Sequence, residues 1–322
     1  MEKLEERVGE ENYNKDGYVM KVIKYISSNN VIVEFNDIDN TTTTTSWYRF
    51  KNGNVKNPNH IKNSRLGEIR INRFGSLMKC VEYNGAQSIV VEFQDEYKAK
   101  VPTAWHVFDK GSVRNPYDKS FYGVGIVGEK YPITINGKQT KEIMAWQHLL
   151  ERCFSERCKE INPTYKNVTM CNEWLYYPNF YEWLHSQDNF EKWIVSNNWA
   201  IEKDIICKNN KIYAPDKCCL VPQYVNNLFC KHDISRGDLP VGVSYEKRTQ
   251  MYIARVSKTQ KSKRKYILQI GRYPTPEDAF YLGYKPYKEA YIQKVAQEEF
   301  GKGNITKHCY DAMMNYQVEI TD

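Results

Sequence analysis

Short runs of β-branched and aromatic residues, separated by turn-forming Asn, Gly and Asp, occupy the first third of the chain. Residues 31–35 (Val-Ile-Val-Glu-Phe) and 88–93 (Ser-Ile-Val-Val-Glu-Phe) are two of these runs. Their length and composition are typical of small antiparallel strands. The first third of the chain is therefore predicted to be all β.

These strands belong to two copies of one module. When the chain is slid along itself by 58 positions, residues 7–59 align with residues 65–117 without a gap. Matched pairs include Arg7 with Arg65, Gly9 with Gly67, Trp47 with Trp105, Phe50 with Phe108 and Asn57 with Asn115. Each copy is predicted to form a small, strongly bent sheet or barrel, with tight turns at Asn52-Gly53 and Lys110-Gly111.

Both copies place charged and aromatic residues near their turns. These are Trp47, Tyr48, Arg49, Lys51 and Lys56 in the first copy, and Trp105, His106, Lys110 and Arg114 in the second. Such a set could meet a phosphate backbone. It could equally be a packed tryptophan with a solvated charged rim, and the sequence leaves both interpretations open.

The pattern changes to a helical one in the central region. Apolar residues recur at helical spacing between Lys141 and Lys159, which predicts a helix there. The aromatic-rich segments 174–177 and 180–183 are predicted to form a core rather than a cofactor site.

From Leu239 the pattern predicts three short strands, at residues 241–245, 251–256 and 266–270, followed by a helix. Thr275 is a suitable N-cap, Pro276 suits the first helical position, and two acidic residues follow. Further along, Gly283 and Pro286 predict a kink or a break in this helix.

Composition narrows the class of protein. A hydrophobic content of 41% and 322 residues are enough for two or three domains with real cores, which excludes a disordered chain. No run reaches the roughly 18 apolar residues of a membrane span, and the start at Met1 lacks an apolar signal core, so we expect a protein of a cytosol. The formal net charge is +7, and the excess concentrates near residues 247–272.

Nine scattered cysteines in a chain without a signal peptide are expected to be reduced, and most to be buried small hydrophobes. Zinc is the alternative in the central region, where the candidate ligands are Cys153, Cys158, Cys171, Cys207 and Cys218.

A resemblance to a known family appears in residues 140–230. The residues that carry it are Trp146, Arg152-Cys153-Phe154, Tyr165, Val168, Cys171, Trp174, Asn179-Phe180, the segment 213–218 (Tyr-Ala-Pro-Asp-Lys-Cys) and Asn226-Asn227. In this order they resemble the HNH endonucleases of phages, a homing-endonuclease-like group. The resemblance implies DNA cleavage that needs a general base and a hard divalent cation, Mg²⁺.

The implied site departs from the family pattern. At the acidic and base positions this chain has Glu202 and Lys203, followed by Asp204, and Lys217 stands where the family has Asn. Glu202, Asp204 and Asn226 or Asn227 are the candidate ligands for Mg²⁺, and Lys203 is a candidate for transition-state electrostatics. His148, on the predicted helix, is the best spare base.

Residues 239–296 resemble the Apetala-type DNA-binding domain. The resemblance lies in Gly242-Val243, in residues 252–256 (Tyr-Ile-Ala-Arg-Val) and in residues 270–280, which begin Ile-Gly-Arg-Tyr-Pro. In that family a three-stranded sheet lies in the major groove of double-stranded DNA. The implied contacts are Tyr245, Lys247, Arg248, Tyr252, Arg255, Lys258 and Arg272, and the loop lysines and arginines Lys263, Arg264 and Lys265 add a phosphate-seeking cluster.

These patterns predict an α+β multidomain chain. The expected domains are a first β repeat (1–62), a second β repeat (63–120), an HNH-like α+β domain (121–235) and an Apetala-type domain with a C-terminal helix (236–322). Two functions are compatible with them. One is a Mg²⁺-dependent phage DNA endonuclease. The other is a catalytically inactive binding protein, acting as a regulator or as an inhibitor of a host defence complex.

Overall fold

The computed structural model describes residues 7–230, 238–259 and 265–320, and side chains are described outside 257–266. It is a mixed α+β structure with several small sheets, which confirms the predicted class. The chain divides into two compact units, Met1–Asp118 and Lys119–Asp322. In the described part of the chain no helix is both long and apolar enough to cross a bilayer.

The first unit contains two four-stranded antiparallel sheets in simple meander order. The first is β1 (Glu11–Tyr13), β2 (Val19–Ser27), β3 (Asn30–Phe35) and β4 (Thr42–Thr45), followed by helices α1 (Trp47–Lys51) and α2 (His60–Arg65). The second is β5 (Ile69–Ile71), β6 (Leu77–Tyr83), β7 (Ile89–Phe93) and β8 (Lys100–Thr103), followed by α3 (Trp105–Asp109). Each sheet buries its own apolar cluster, centred on Phe35 and Phe50 in the first and on Phe93 and Phe108 in the second.

The two repeats share a polar framework as well as a core. Arg7 donates to the Tyr25 hydroxyl at 2.7 Å and lies over the Trp47 ring, and Arg65 does the same with Tyr83 and Trp105. One tryptophan per repeat is therefore structural. The alternative of a barrel is wrong for the described residues, because both sheets stay open. The predicted turns at Asn52-Gly53 and Lys110-Gly111 directly follow α1 and α3, two short helices that the β pattern did not reveal.

The second unit begins with helices packed around tryptophans. The predicted helix over 141–159 is two helices, α4 (Lys141–Phe154) and α5 (Glu156–Ile161), because the Ser155 hydroxyl accepts from the Cys158 N–H and caps a new start. The hairpin of β9 (Thr134–Ile135) and β10 (Lys138–Gln139) precedes α4. Strand β11 (Thr169–Met170) and helices α6 (Tyr177–His185) and α7 (Phe190–Val195) follow α5. The aromatic segments form a core, as expected: the Trp146 indole donates to the Trp174 carbonyl in its middle.

The remaining strands bring the candidate residues together. They are β12 (Trp199–Glu202), β13 (Ile212–Tyr213), which pairs in parallel with β11, and β14 (Cys219–Pro222), which pairs antiparallel with β12 and leads into helix α8 (Gln223–Asn226). The C-terminal sheet is β15 (Val243–Glu246), β16 (Met251–Thr259) and β17 (Lys265–Tyr273), all antiparallel. Three strands form where three were predicted. The first starts two residues later and ends one later, the second ends three later, and the third starts one earlier and ends three later.

The C-terminal helix opens as predicted, because the Thr275 hydroxyl accepts from the Asp278 N–H. After α9 (Pro276–Asp278) comes a π-helical segment, Ala279–Tyr284, and then α10 (Lys285–Gly301) and α11 (Lys307–Met314). The irregularity expected at Gly283 and Pro286 takes this π-helical form. A Cβ on Gly283 would lie 2.8 Å from the Ala254 Cβ, so glycine lets the π segment approach the sheet.

Candidate nucleic-acid interface and carboxylate site

The candidate carboxylates lie where strand β12 ends. Glu202 is the last residue of β12 and faces Cys219 on β14, and Lys203 and Asp204 follow it into the loop. Glu202 accepts from the backbone N–H groups of Lys203 at 2.9 Å and Asp204 at 2.7 Å through one carboxylate oxygen. Burial nevertheless dominates, and it raises the pKa of Glu202 above its usual range.

Lys203 turns inward at this point and is buried. Its ammonium donates to both carboxylate oxygens of Asp204, each at 2.7 Å, and to the backbone carbonyl of Asn210 at 2.8 Å. A lysine ammonium has three donors, so all three are used here. The buried Asn210 amide closes the loop by donating to the carbonyls of Lys203 and Ile212.

These contacts bear on whether the residues fit Mg²⁺. The ion needs oxygen ligands in near-octahedral order at roughly 2.0–2.1 Å. Both Asp204 oxygens instead accept from an ammonium, and a Glu202 oxygen accepts from two backbone amides. Within residues 7–230, 238–259 and 265–320, no group of three or more His, Cys, Asp or Glu side chains is placed to hold a metal. As arranged, the residues do not fit Mg²⁺, because Lys203 provides the positive charge of the site.

The other predicted members of this site lie apart from the carboxylates. The Asn227 side chain is exposed and accepts from Gln223, while Asn226 is half-buried and uses its backbone carbonyl to accept from Phe229 and Cys230. His148 is exposed on α4. None of these three side chains has a hydrogen bond to Glu202 or Asp204 among the described contacts.

Two residues that the sequence did not single out belong to this region. Burial raises the pKa of the Cys230 thiol, and the charges of Glu202 and Asp204 raise it further while Lys288 opposes them. Lys288, on α10, is itself desolvated, which lowers its pKa to about 8. Among the described residues it has no hydrogen bond or ion pair. Only the folded chain brings these residues close, so no local sequence signal could have found them.

The candidate zinc ligands are not gathered. Cys153 and Cys218 are buried, Cys158 and Cys171 are half-buried and Cys207 is exposed, and all nine cysteines of the chain are unpaired. Burial raises the pKa of Cys153 to about 12, which is the environment of a small core residue rather than of a thiolate ligand.

Strand register divides the predicted DNA contacts between the two faces of the C-terminal sheet. Tyr245, Tyr252 and Tyr273 form one cross-strand row on the face that packs against the helix. Tyr252 is half-buried there, and Tyr245 contacts it at the edge, with ring centroids 5.1 Å apart. The aromatic rings therefore support the fold, and only Tyr245 is exposed among the two predicted tyrosine contacts.

The opposite face and the β15–β16 turn carry the cations. Arg272 is exposed, but its neighbours in the same cross-strand row, Ser244 and Ile253, are half-buried and fully buried. Arg255 is half-buried and pairs with Gln269 beyond a β-bulge. Glu246 accepts from Arg272 at 3.1 Å and from Thr249; these two hydrogen bonds lower the pKa of Glu246. Lys247 and Arg248 are exposed in the turn. Lys258 lies in β16 and Lys265 in β17, and only their backbones belong to the part of the chain that the structure describes. Lys263 and Arg264 lie outside the described residues.

Comparison with family models, with curated proteins and with solved structures gives no match for this chain.

Proposed function

We propose that this chain is a DNA-binding protein that contacts double-stranded DNA through its C-terminal sheet, and that its Glu202–Asp204 segment stabilises the fold instead of cutting DNA. The observation that supports a structural role for the Glu202–Asp204 segment is the position of Lys203. Its buried ammonium uses all three donors on Asp204 and on the Asn210 carbonyl. In this arrangement Lys203 can neither act as a base nor leave Asp204 free for a divalent ion.

Exposed positive charge supports the proposed contact between the C-terminal sheet and duplex DNA. Lys247 and Arg248 are exposed at the tip of the β15–β16 hairpin, and Arg272 is exposed on the face away from the helix, where Arg255 is half-buried. Phosphate contacts by such side chains supply most non-specific affinity for duplex DNA and make it dependent on salt. A two-stranded ribbon such as the β15–β16 hairpin also fits the width of the major groove.

The test is the affinity of the full chain for a fluorescent duplex, measured by anisotropy at two salt concentrations in EDTA. The variant K247Q/R248Q should bind roughly tenfold more weakly and with a salt slope smaller by about 1.8, since each phosphate contact contributes about 0.9. K294Q/K307Q is the matched control, because it removes two positive charges from helices α10 and α11. Equal weakening in both variants, or no duplex binding by the unmodified chain, would contradict the proposal.

A Mg²⁺-dependent endonuclease is the second candidate, and one observation favours it. Two antiparallel strands, β12 and β14, are followed directly by helix α8, with carboxylates at the strand end. The resemblance to HNH endonucleases implies chemistry at such a place. DNA cleavage at this place would require Lys203 to release Asp204 when metal and DNA bind. Mg²⁺-dependent nicking that is lost in Asp204→Ala would establish the endonuclease function.

A further inference from the structure

A cleft lies at the same place in each N-terminal repeat, where the first turn of the sheet meets the loop after the short helix. In the first repeat it is a shallow, open depression of about 260 Å³ that includes Tyr13, Lys15 and Gly53 in its lining. In the second it is a smaller one of about 90 Å³ that includes Arg73, Phe74 and Arg114. Lys15 and Arg73 are equivalent in the repeat, as are Gly53 and Gly111, and these are the two lining positions that the clefts share. The aromatic residues Tyr13 and Phe74 stand at different positions of the repeat.

Matching hydrogen bonds tie the turn to the loop beside each cleft. In the first repeat the side-chain amide of Asn14 donates to the Val55 carbonyl at 3.1 Å, and the Lys15 backbone N–H donates to the Gly53 carbonyl at 3.1 Å. Their counterparts in the second repeat are Asn72 to Val113 at 3.2 Å and Arg73 to Gly111 at 3.0 Å. These bonds hold the turn against the loop, so the cleft is preformed.

Two cations project from this junction in each copy. Lys15 follows Asn14 and Lys56 follows Val55, so both start from backbone that the Asn14 bond ties together. Arg73 and Arg114 follow Asn72 and Val113 in the same way. All four are exposed, and none has an ion pair or a cation–π contact with a described residue.

The internal ion pairs of the repeats behave differently. Lys51 pairs with Glu10 at 2.9 Å in the first copy, whereas Asp109 stands at the position of Lys51 and pairs with Arg70 at 3.2 Å in the second. The charge at this one paired position has thus changed sign between the copies, whereas the paired acid Glu10 is kept as Glu68, which pairs with Arg70. Lys15 and Arg73 line the two clefts and have kept their positive charge without an internal partner, which suits contact with an anionic group outside the chain.

Each cleft also carries one exposed aromatic ring: Tyr13 is 67% exposed and Phe74 is 48% exposed. An aromatic ring beside cations is the combination that holds single-stranded nucleic acid, since the ring stacks on an unpaired base while the cations contact phosphates. Duplex DNA offers phosphates to such a cleft but no free base face. We infer that the two repeat clefts bind single-stranded nucleic acid, separately from the duplex contacts of the C-terminal sheet.

The experiment uses the full chain and a labelled single-stranded oligonucleotide of mixed sequence, with the duplex of the same sequence beside it. K15Q/R73Q should bind the single strand roughly tenfold more weakly, with a salt slope reduced by about 1.4, because each contact to a single strand contributes about 0.7. Y13A/F74A should weaken single-strand binding roughly tenfold or more through lost stacking. Both variants should bind the duplex within about twofold of the unmodified chain.

The control K24Q/K98Q removes two exposed positive charges from the same repeats outside the clefts and should leave single-strand binding unchanged. Equal melting temperatures would show that all variants are folded. Equal single-strand affinity of K15Q/R73Q and K24Q/K98Q would overturn the inference, as would Y13A/F74A binding like the unmodified chain. Loss of duplex binding in K247Q/R248Q alone would not affect the inference of single-strand binding by the repeats. Failure of one proposal is therefore distinguishable from failure of the other.

Discussion

Two lysines of the second unit show how burial acts on a charge. Lys203 is buried but has three acceptors within 2.8 Å, so its charge is compensated. Lys288 is desolvated without a hydrogen-bond or ion-pair partner among the described residues, and its pKa is lowered to about 8. An amine that loses hydration without gaining a counter-charge favours its neutral form. Their different surroundings predict different responses to pH and to mutation.

For Lys288 the sign of the pH dependence follows from linkage. In the unfolded chain a lysine has a pKa of roughly 10.4, so between pH 8 and that value the unfolded state binds more protons than the folded state. Stability must then rise with pH across this window. Lys288→Met should be more stable than the unmodified chain at pH 7, and the difference should shrink as pH rises toward 10.4. Urea unfolding of both proteins at several pH values measures this, and a constant difference would refute it.

At the scale of elements, the repeats keep the positions where the backbone needs a particular residue. Gly53 and Gly111 both have φ +64, and a Cβ there would lie 2.7 Å from the Tyr13 carbonyl oxygen and 2.6 Å from the Ile71 carbonyl oxygen. Gly17 and Gly75 also have positive φ, but a Cβ on either would have no atom within 4 Å. The first pair is constrained twice, by conformation and by space.

Glycine-to-alanine variants separate these two constraints. Gly17→Ala should lower the free energy of unfolding by about 1 kcal/mol, the cost of a positive φ alone. Gly53→Ala adds a contact that only a backbone shift can relieve, and should cost about 2–4 kcal/mol in total. Urea unfolding of the two variants compares them directly. Similar losses would mean that the short helix and its loop are not held against the first turn.

Sequence patterns predicted these elements unevenly. The three C-terminal strands and the Thr275 cap were found because alternation and capping are local signals. The helices of five residues beginning at Trp47 and Trp105 were missed, since so few residues show no helical period. The sequence also could not show which face of the C-terminal sheet Tyr252 occupies: its chemistry suits a DNA contact, and its register places it toward the helix.

At the scale of the whole molecule, one core crosses the predicted boundary at residue 235. Ile205 and Val221 lie in the same buried cluster as Val243, Phe280 and other residues of the C-terminal sheet and helices. The chain divides between Asp118 and Lys119, two residues from the boundary predicted after residue 120. A periodic pattern shows which face of an element is apolar but not which other element covers it, so sequence alone could not show that β14 and α10 share a core.

Fragments test this organisation. Residues 1–118 and 119–322 expressed separately should each unfold cooperatively on heating, with melting temperatures close to those of two transitions in the full chain. A fragment ending at residue 235 should lack cooperative unfolding in its last segment, because the strand pair β12–β14 would lose the apolar partners of Val221. Calorimetry distinguishes the outcomes, and a stable, cooperative 119–235 fragment would contradict the shared core.

The chemistry of the carboxylate site depends on side-chain contacts that the sequence does not show. Glu202, Lys203 and Asp204 are adjacent in the chain, and the structure keeps them together. What the sequence could not give is the direction of the Lys203 side chain, which decides between a cation-binding site and an internal ion pair. That direction is set by the buried Asn210 loop.

Supercoiled plasmid incubated with the purified full chain, in Mg²⁺ and in EDTA, tests the central claim most directly when bound and nicked DNA are both measured. The proposed binding role predicts equal retention of plasmid in the two buffers at matched ionic strength, with the DNA left intact. Nicking that appears only with Mg²⁺ and disappears in Asp204→Ala would show that Lys203 yields its place to a metal, and would contradict the account.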